Sequence, residues 1–141
     1  MDNKFNGIFA NDSSSATLVL DRVRLENNGE AGIHLRINTG GTINATVRDS
    51  VSARNGGTGV FAAGGGGGAI HGLIVRSAIV NNFAGISSQG SGATVRLGNS
   101  TVTGNGTGLH AADSGVLESY GTNKVDGNGT DGAPTSTIAM K

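Results

Sequence analysis

The chain has 141 residues, a length that is typical of one domain. Its ten basic and ten acidic side chains give a formal net charge of zero, so we expect no overall attraction to nucleic acid. Its 26 glycines and its aromatic content of only 4% exclude a globule built round aromatic residues and disfavour long helices, because glycine costs about 1 kcal/mol per helical position relative to alanine. The lack of cysteine excludes disulfides and thiolate metal sites, and no apolar stretch reaches the roughly 18 residues of a membrane span.

A short phrase, a glycine followed by a large aliphatic residue, recurs five times along the chain. Successive copies lie 25, 27, 26 and 23 residues apart, and self-similarity at such a period predicts a solenoid. The copies are Gly7-Ile8, Gly32-Ile33, Gly59-Val60, Gly85-Ile86 and Gly108-Leu109. We call one turn of the solenoid a rung and expect a single domain over residues 1–141. The predicted rungs cover residues 4–30, 31–57, 58–83, 84–106 and 107–132, and residues 133–141 form a C-terminal capping tail.

Each predicted rung holds three short apolar stretches separated by turns. In the fourth rung, residues 93–97 alternate between apolar and polar side chains, which is the pattern of a half-buried strand. Clusters of Gly, Asn and Ser between the stretches are typical of turns. A single rung buries too few aliphatic side chains to offset the conformational entropy of its ordered residues, so the rungs must stack. The sequence therefore predicts an all-β parallel β-helix of about five rungs with three short parallel sheets.

The alternation also predicts which side chains point into the solenoid. In the first sheet these are the five aliphatic residues of the repeated phrase. In the second sheet we expect Ile74 to point inward in preference to its neighbours, and in the last rung we expect Val116 to do so. In the third sheet, Val51 is the residue expected to face the core in the second rung.

An asparagine recurs at one corner of every rung. The five are Asn28, Asn55, Asn82, Asn105 and Asn128. Four of them precede a glycine, and Asn-Gly is typical of turns because both residues reach positive φ at low cost. Stacked asparagines can also hydrogen-bond along the column and satisfy amides that would otherwise be buried without partners. We interpret the column as a structural ladder in preference to a row of ligand-binding residues.

Two segments of the chain resemble a known family. Residues 94–109, TVRLGNSTVTGNGTGL, are similar to the parallel β-helix repeats of the pectate-lyase-like superfamily. Residues 119–141 resemble the carboxyl end of uncharacterised right-handed β-helix proteins of proteobacteria. The resemblance covers essentially the whole chain and implies a right-handed helix of three parallel sheets in an exported protein. It is specific for the fold and says little about activity, because one fold supports many functions.

The resemblance directs attention to the outer face of the first sheet, where lyases of the superfamily carry acidic calcium ligands and a basic proton acceptor. Glycoside hydrolases on this fold use clustered carboxylates on the same face. The outward positions in this chain are Phe9, His34, Arg36, Phe61, Ser87 and His110, with Asp113 at the edge. Because this face holds no group of carboxylates, we predict no catalytic residue, no metal site and no cofactor.

Several basic side chains are weak candidates for contacts with a ligand. His34 and His110 lie on the same predicted face but three rungs apart, about 14 Å by strand spacing, which is too far to share a metal ion. A basic stripe that could contact an acidic polysaccharide consists of Arg22, Arg48, Arg76 and Arg96. The alternative is that these arginines only solubilise a sheet face, with Asp21 and Asp49 neutralising them locally.

The two ends of the predicted column differ. The sequence begins almost on a strand, with Phe5 and Ile8 in the first rung and no amphipathic capping segment before them. Because an open end exposes apolar side chains and strand edges, we expect self-association there, most simply as a two-fold dimer. At the other end, residues 135–140 can fold across the last rung and cover its core.

These features favour a non-catalytic scaffold or carbohydrate-contacting module of a secreted or surface bacterial protein, although no signal peptide is evident in this sequence. One alternative is a fragment of a polysaccharide lyase or glycoside hydrolase whose catalytic residues lie outside this chain. Another is a trimeric segment of a tail fibre or adhesin. The expected partners are a second copy of the chain and a polysaccharide, with no nucleic acid and no membrane span.

Overall fold

The computed structural model describes residues 3–141, which form a parallel β-solenoid of about five turns and contain no helix. Each turn places one strand in each of three sheets, and all the strand pairs are parallel. The predicted fold class is therefore confirmed. The right-handed sense implied by the resemblance stays a prediction.

Sheet 1 contains β1 (Ile8–Asp12), β4 (Ile33–Ile37), β7 (Thr58–Gly64), β10 (Ala84–Gln89) and β13 (Thr107–Ala112). Sheet 2 contains β2 (Ala16–Asp21), β5 (Thr42–Arg48), β8 (Ala69–Val75), β11 (Ala93–Gly98), β14 (Val116–Ser119) and β16 (Ser136–Thr137). Sheet 3 contains β3 (Arg24–Glu26), β6 (Val51–Ala53), β9 (Ala78–Val80), β12 (Thr101–Thr103) and β15 (Lys124–Val125).

The repeated phrase sets the register of sheet 1. Its five aliphatic residues stand opposite one another, in the order Ile8, Ile33, Val60, Ile86 and Leu109. All but Ile8, which lies in the outermost strand, are buried. The glycine before each aliphatic residue leaves room for a backbone oxygen of the next rung and for an asparagine of the ladder. A Cβ built at Gly59 would also lie 2.5 Å from Cγ2 of the core residue Ile79.

Two of the predicted core residues face outward instead. Ser52, and not its neighbour Val51, lies between Leu25 and Ile79 in the register of sheet 3 and is buried. In the last rung, Val116 stands beside Thr94 on the outer face, whereas Leu117 is buried. The first prediction chose Val51 because it is more apolar than Ser52, and the second chose Val116 ahead of the equally apolar Leu117. Strand pairing, and not apolar character, fixes which side of the sheet each position faces. Ile74 faces inward, as predicted.

Left-handed backbone forms one of the corners of the solenoid. Between sheets 2 and 3, the φ angles of Arg22, Asp49, Arg76 and Asn99 lie between 46° and 56°. Few non-glycine residues adopt this conformation. The serine that follows in successive rungs accepts a hydrogen bond at its Oγ from the backbone N–H of the preceding rung, as Ser77 does from Ser50 at 3.2 Å. Each corner is therefore held from one rung to the next.

The C-terminal tail continues the solenoid along one sheet only. β16 pairs with β14, so that sheet 2 has six strands and the other two sheets have five. Oγ1 of Thr135 accepts from the backbone N–H of Leu117 at 3.0 Å, next to the last buried layer. Contrary to the prediction from the sequence, Ile138 and Met140 do not lie across the core of the last rung. They line a hollow on the outer face of sheet 2 beside Tyr120.

Candidate functional site

The asparagine column forms a continuous chain of hydrogen bonds along one corner. The side-chain Nδ2 of Asn28 donates to Oδ1 of Asn55 at 2.8 Å, and the same contact repeats between Asn55 and Asn82 (2.9 Å), between Asn82 and Asn105 (3.1 Å) and between Asn105 and Asn128 (2.9 Å). Each Oδ1 also accepts the backbone N–H of the preceding asparagine. The first four asparagines are buried, so the ladder satisfies polar groups inside the protein.

The ladder is longer than the sequence analysis predicted. At its first rung, Nδ2 of Asn3 donates to Oδ1 of Asn28 at 3.0 Å. At its other end, Nδ2 of Asn128 donates to the carboxylate of Asp131 at 2.9 Å. Asn3 lies 25 residues before Asn28, so the period of the repeat could have identified it. No periodic signal marks Asp131, because it belongs to the same rung as Asn128.

The four arginines of the predicted basic stripe do not share one column. Arg22 and Arg76 occupy the left-handed corner position, whereas Arg48 and Arg96 stand on the outer face of sheet 2 in different columns. All four are paired with carboxylates. The pairs are Arg22 with Asp21 (3.4 Å), Arg48 with Asp21 (3.1 Å), Arg76 with Asp49 (2.8 Å) and Arg96 with Glu118 (2.7 Å). The local neutralisation by Asp21 and Asp49 is as expected.

The outer face of sheet 1 carries a stack of aromatic rings. Strand pairing places Phe9, His34 and Phe61 opposite one another on β1, β4 and β7. The ring centroid of His34 lies 4.9 Å from that of Phe9 and 4.8 Å from that of Phe61. Phe9 is 51% exposed. We call these three residues the aromatic column.

The imidazole of His34 is held in an apolar setting by its two neighbours. Its Nε2 atom is buried and has no hydrogen-bond partner among the described residues. Burial lowers the pKa of His34 below its usual range, and the nearby positive charge of Arg36 lowers the pKa further. The ring is therefore neutral at neutral pH and presents an apolar surface together with the two phenyl rings.

A shallow groove of about 380 Å³ runs beside the aromatic column toward the turns that follow sheet 1. Arg36 and Asn38 lie on one side, and the Asn38 amide oxygen accepts from Nε and Nη2 of Arg36 at 3.0 and 3.1 Å. Gln89 and Asp113 lie on the other side, joined by a hydrogen bond of 2.7 Å from Nε2 of Gln89 to Oδ2 of Asp113. Within residues 3–141, Arg36 forms no ion pair, so its charge faces the groove.

The other residues of this face add little to the groove. Ser87 and His110 continue the row of the aromatic column on β10 and β13, with 3.3 Å between Ser87 Oγ and His110 Nδ1. His34 and His110 are separated by two strands and are not brought together, as expected. Across residues 3–141, no three His, Asp or Glu side chains are grouped so that they could hold a metal ion.

Comparisons with protein-family models, curated proteins and solved structures find no match to this chain. Membership of the pectate-lyase-like superfamily and a proteobacterial origin therefore stay predictions from the sequence. None of residues 3–141 belongs to a helix that is long and apolar enough to cross a membrane.

Sequence reasoning identified Phe9, His34, Arg36 and Phe61 as outward residues but did not combine them into a stack beside a groove. The signal was available, because each aromatic residue directly follows the aliphatic residue of the repeated phrase. The residues on the second side of the groove could not be predicted from the repeated phrase. It depends on the turn near Gly90, which places Gln89 and Asp113 beside the end of β7.

Proposed function

We propose that the chain is a non-catalytic β-helix module that contacts carbohydrate with the outer face of sheet 1. The observation that carries the proposal is the aromatic column beside a groove with polar side chains. Sugar rings have apolar faces that stack on aromatic side chains and hydroxyl groups that hydrogen-bond to amides and carboxylates. The groove offers both kinds of contact within a few strands.

Arg36 gives the groove a group that can bind the carboxylate of a polysaccharide, and Asp113 on the other side carries the opposite charge. Arg36 is exposed and lines the groove beside Asn38, and guanidinium groups bind carboxylates with two parallel hydrogen bonds. The four arginines first considered for this role already have carboxylate partners. A contact of one of them with an acidic ligand would have to break an existing pair, so Arg36 is the better candidate.

Isothermal titration calorimetry with polygalacturonate and with neutral xylan tests the proposal. We expect Phe61→Ala to weaken binding by about tenfold, which corresponds to a loss of roughly 1.4 kcal/mol. Arg36→Ala should reduce the preference for the acidic polymer while leaving binding of the neutral polymer almost unchanged. Phe83→Ala is the matched control, since Phe83 is 75% exposed but lies at a corner outside sheet 1. Failure of both polymers to bind at millimolar saccharide concentrations would contradict the proposal.

The cellular location forms a further part of the proposal, namely a secreted or surface bacterial protein. It is supported by the resemblance to exported β-helix proteins, and a carbohydrate-contacting module has its polymeric ligands outside the cell. Immunodetection of the native protein in culture supernatant and surface fractions tests it. Recovery of the protein in the cytosolic fraction alone would contradict this part and leave the binding prediction intact.

We also propose that the chain self-associates through its first rung. β1, β2 and β3 are edge strands of the three sheets and lie at the same end of the column. Phe5 is 68% exposed at this end, and Ile8 is only partly buried. Sedimentation equilibrium of the wild-type chain and of Phe5→Asp tests this. A wild-type monomer at micromolar concentration, or an association that Phe5→Asp leaves unchanged, would contradict end-to-end association.

A further inference from the structure

The outer face of sheet 3 carries small, uncharged side chains at its centre. The first and third residues of each of its short strands face outward, because the middle residue points into the core. The middle three strands carry only small apolar or threonine side chains at these positions. They are Val51, Ala78, Val80, Thr101 and Thr103, which are half-buried, and Ala53, which is buried.

Opposite charges stand side by side at both ends of this face. β3 presents Arg24 at its first position and Glu26 at its third. At the other end, Lys124 takes the first position, and Asp126 follows at the third. Arg24 and Glu26 form an ion pair of 2.6 Å, and Arg54 lies 3.5 Å from the same carboxylate. At both ends of the sheet, the basic residue therefore stands at the first position and the acidic residue at the third.

A protruding side chain and a hollow flank the same face at the same height. Phe83 follows β9 at the corner after the ladder residue Asn82 and is 75% exposed. The residue at this place is glycine in four other rungs, and the backbone N–H of Phe83 donates to Asn55 as that of Gly56 does to Asn28. A hollow of about 490 Å³ lies at the opposite corner. Its small lining residues are Ser50, Val51, Ser77, Ala78 and Thr101, and its outer rim carries Asn99 and the ion pair of Arg76 with Asp49.

We infer that this face joins two copies of the chain in a parallel dimer, with a two-fold axis along the solenoid. This axis exchanges the first and third positions of every strand at constant height. Arg24 of one copy then faces the partner's Glu26, and Lys124 faces the partner's Asp126. The same operation brings the exposed ring of Phe83 to the hollow beside β9 of the other copy. Shape and charge therefore match in one arrangement.

The antiparallel arrangement is unfavourable for the same reason. A two-fold axis along the strands keeps first positions opposite first positions and inverts the height. Arg24 would then face Lys124 and Glu26 would face Asp126, so that like charges meet at both ends. The pattern of charges therefore favours the parallel dimer. It also predicts that reversing one of these charges weakens the parallel dimer and strengthens the antiparallel one.

The dimer is expected to be weak. Five strands at about 4.8 Å spacing, with three residues of about 3.3 Å rise in each, make a face of roughly 190 Å². This area is much smaller than that of a standard interface, about 800 Å² per partner. Phe83 is the residue expected to contribute most, because buried aromatic anchors dominate small interfaces. The two-fold axis points the sheet 1 grooves of the two copies in opposite directions, so each groove binds its ligand independently of the other.

Sedimentation equilibrium up to roughly 0.5 mM protein tests the inference. Phe83→Gly should raise the dimer dissociation constant about tenfold or more. It should leave the fold unchanged, because glycine is the residue found at this place in other rungs. Lys124→Glu should weaken the parallel dimer, since Glu then faces Asp126, and the double variant Lys124→Glu, Asp126→Lys should restore it. Phe5→Asp should have no effect on this dimer, which separates it from association through the first rung.

Two outcomes would overturn the inference. One is a wild-type chain that stays monomeric over the whole range, and the other is a dimer that Lys124→Glu strengthens, as the antiparallel arrangement requires. Crosslinking gives an independent readout because the chain contains no cysteine. A short bismaleimide should join Thr101→Cys to Thr103→Cys, which face each other in the parallel dimer, better than Thr101→Cys to Val51→Cys. The reverse preference would also contradict the parallel geometry.

Discussion

Asn128 donates two hydrogen bonds to one oxygen of Asp131, from its side-chain Nδ2 at 2.9 Å and from its backbone N–H at 3.0 Å. Elsewhere in the ladder, this oxygen belongs to the asparagine of the next rung, as between Asn105 and Asn128. Asp131 therefore substitutes for a further rung. Its own backbone oxygen accepts from Leu109 at 2.9 Å, so the same residue also closes the edge of sheet 1.

Acid should weaken the end of the ladder through Asp131. The side chain and then the backbone of Asn128 donate to this carboxylate and lower its pKa below the usual range. Because the folded pKa lies below the unfolded one, the carboxylate stabilises the folded chain above the unfolded pKa of about 4, and this contribution is lost as the pH falls through the folded pKa. Asp131→Asn keeps an acceptor oxygen and should show a smaller fall in Tm between pH 6 and pH 2.

Thermal unfolding followed by circular dichroism gives the measurement. Asp126→Asn is the matched control, because in the part of the chain that the structure describes the Asp126 side chain accepts no hydrogen bond. It should retain the acid dependence of the wild type. An equal fall in Tm for Asp131→Asn and Asp126→Asn would show that the carboxylate of Asp131 does not end the ladder in solution.

Removal of a central ladder residue should be strongly destabilising. Oδ1 of Asn82 accepts from the backbone and the side chain of Asn55, and its Nδ2 donates to Ser52 O and to Asn105. Asn82→Ala leaves several buried polar groups without partners, each worth about 1–3 kcal/mol. We expect the free energy of unfolding in urea to fall by about 3 kcal/mol.

Asn44→Ala is the control for the ladder variant. Asn44 lies in β5 with its side chain exposed, and its substitution should change the free energy of unfolding by no more than about 0.5 kcal/mol. A similar small loss for Asn82→Ala would mean that water replaces the missing amide inside the corner. In that case the ladder would be dispensable for stability.

The repeat period and the turn residues were sufficient to predict the solenoid, its three sheets and the ladder. Each of these features follows from a local pattern that recurs in five rungs, so one irregular rung does not obscure the pattern. The two mispredicted core residues show where the rule was applied too loosely. The inward residue of sheet 3 always stands three positions before the ladder asparagine, as Leu25 does before Asn28. By this count Ser52 faces the core, although Val51 is the more apolar.

The candidate site was predicted only in part, because its geometry combines strand register with turn conformation. The aromatic column follows from the register alone. The groove beside it does not, since it depends on a turn in which Gly90 has a φ of 87°. The sequence predicted that Asp21 and Asp49 neutralise nearby arginines, but it did not predict which arginine each carboxylate binds. Arg76 and Asp49 lie 27 residues apart and meet only because both corners take up left-handed backbone.

A methyl group at a glycine of the repeated phrase should disturb the core. A Cβ at Gly59 would lie 2.5 Å from Cγ2 of Ile79 and 2.8 Å from the backbone oxygen of Gly85, and the backbone oxygen cannot move without breaking the register. We expect Gly59→Ala to lower the free energy of unfolding by about 1–3 kcal/mol. Gly40→Ala is the control, since a Cβ at Gly40 meets nothing within 4 Å.

Gly40→Ala should be neutral or stabilising by about 0.5 kcal/mol, because alanine restricts the unfolded chain more than glycine does. Chemical denaturation of both variants in parallel separates the contact of the methyl group from the change in backbone entropy. If the two variants lost equal stability, crowding of the core at Gly59 would not be the cause, and the spacing between Gly59 and Ile79 would be wider in solution.

The aromatic column should be visible in the titration of His34. Burial, followed by the charge of Arg36, holds the pKa of His34 below its usual value, and Phe61 covers one face of the ring. Phe61→Ala admits water to that face and should move the pKa of His34 upward, toward 6.5. Titration of the imidazole C–H signals by NMR measures the change.

The sign of the pH effect on stability follows from the same shift. Because the folded pKa of His34 lies below the unfolded value, the unfolded chain binds the proton first as the pH falls, and stability decreases below about pH 6.5. Phe61→Ala should reduce this decrease. A pKa of His34 that Phe61→Ala leaves unchanged would mean that the rings do not stack in solution, and the aromatic column could then no longer support the proposed contact with carbohydrate.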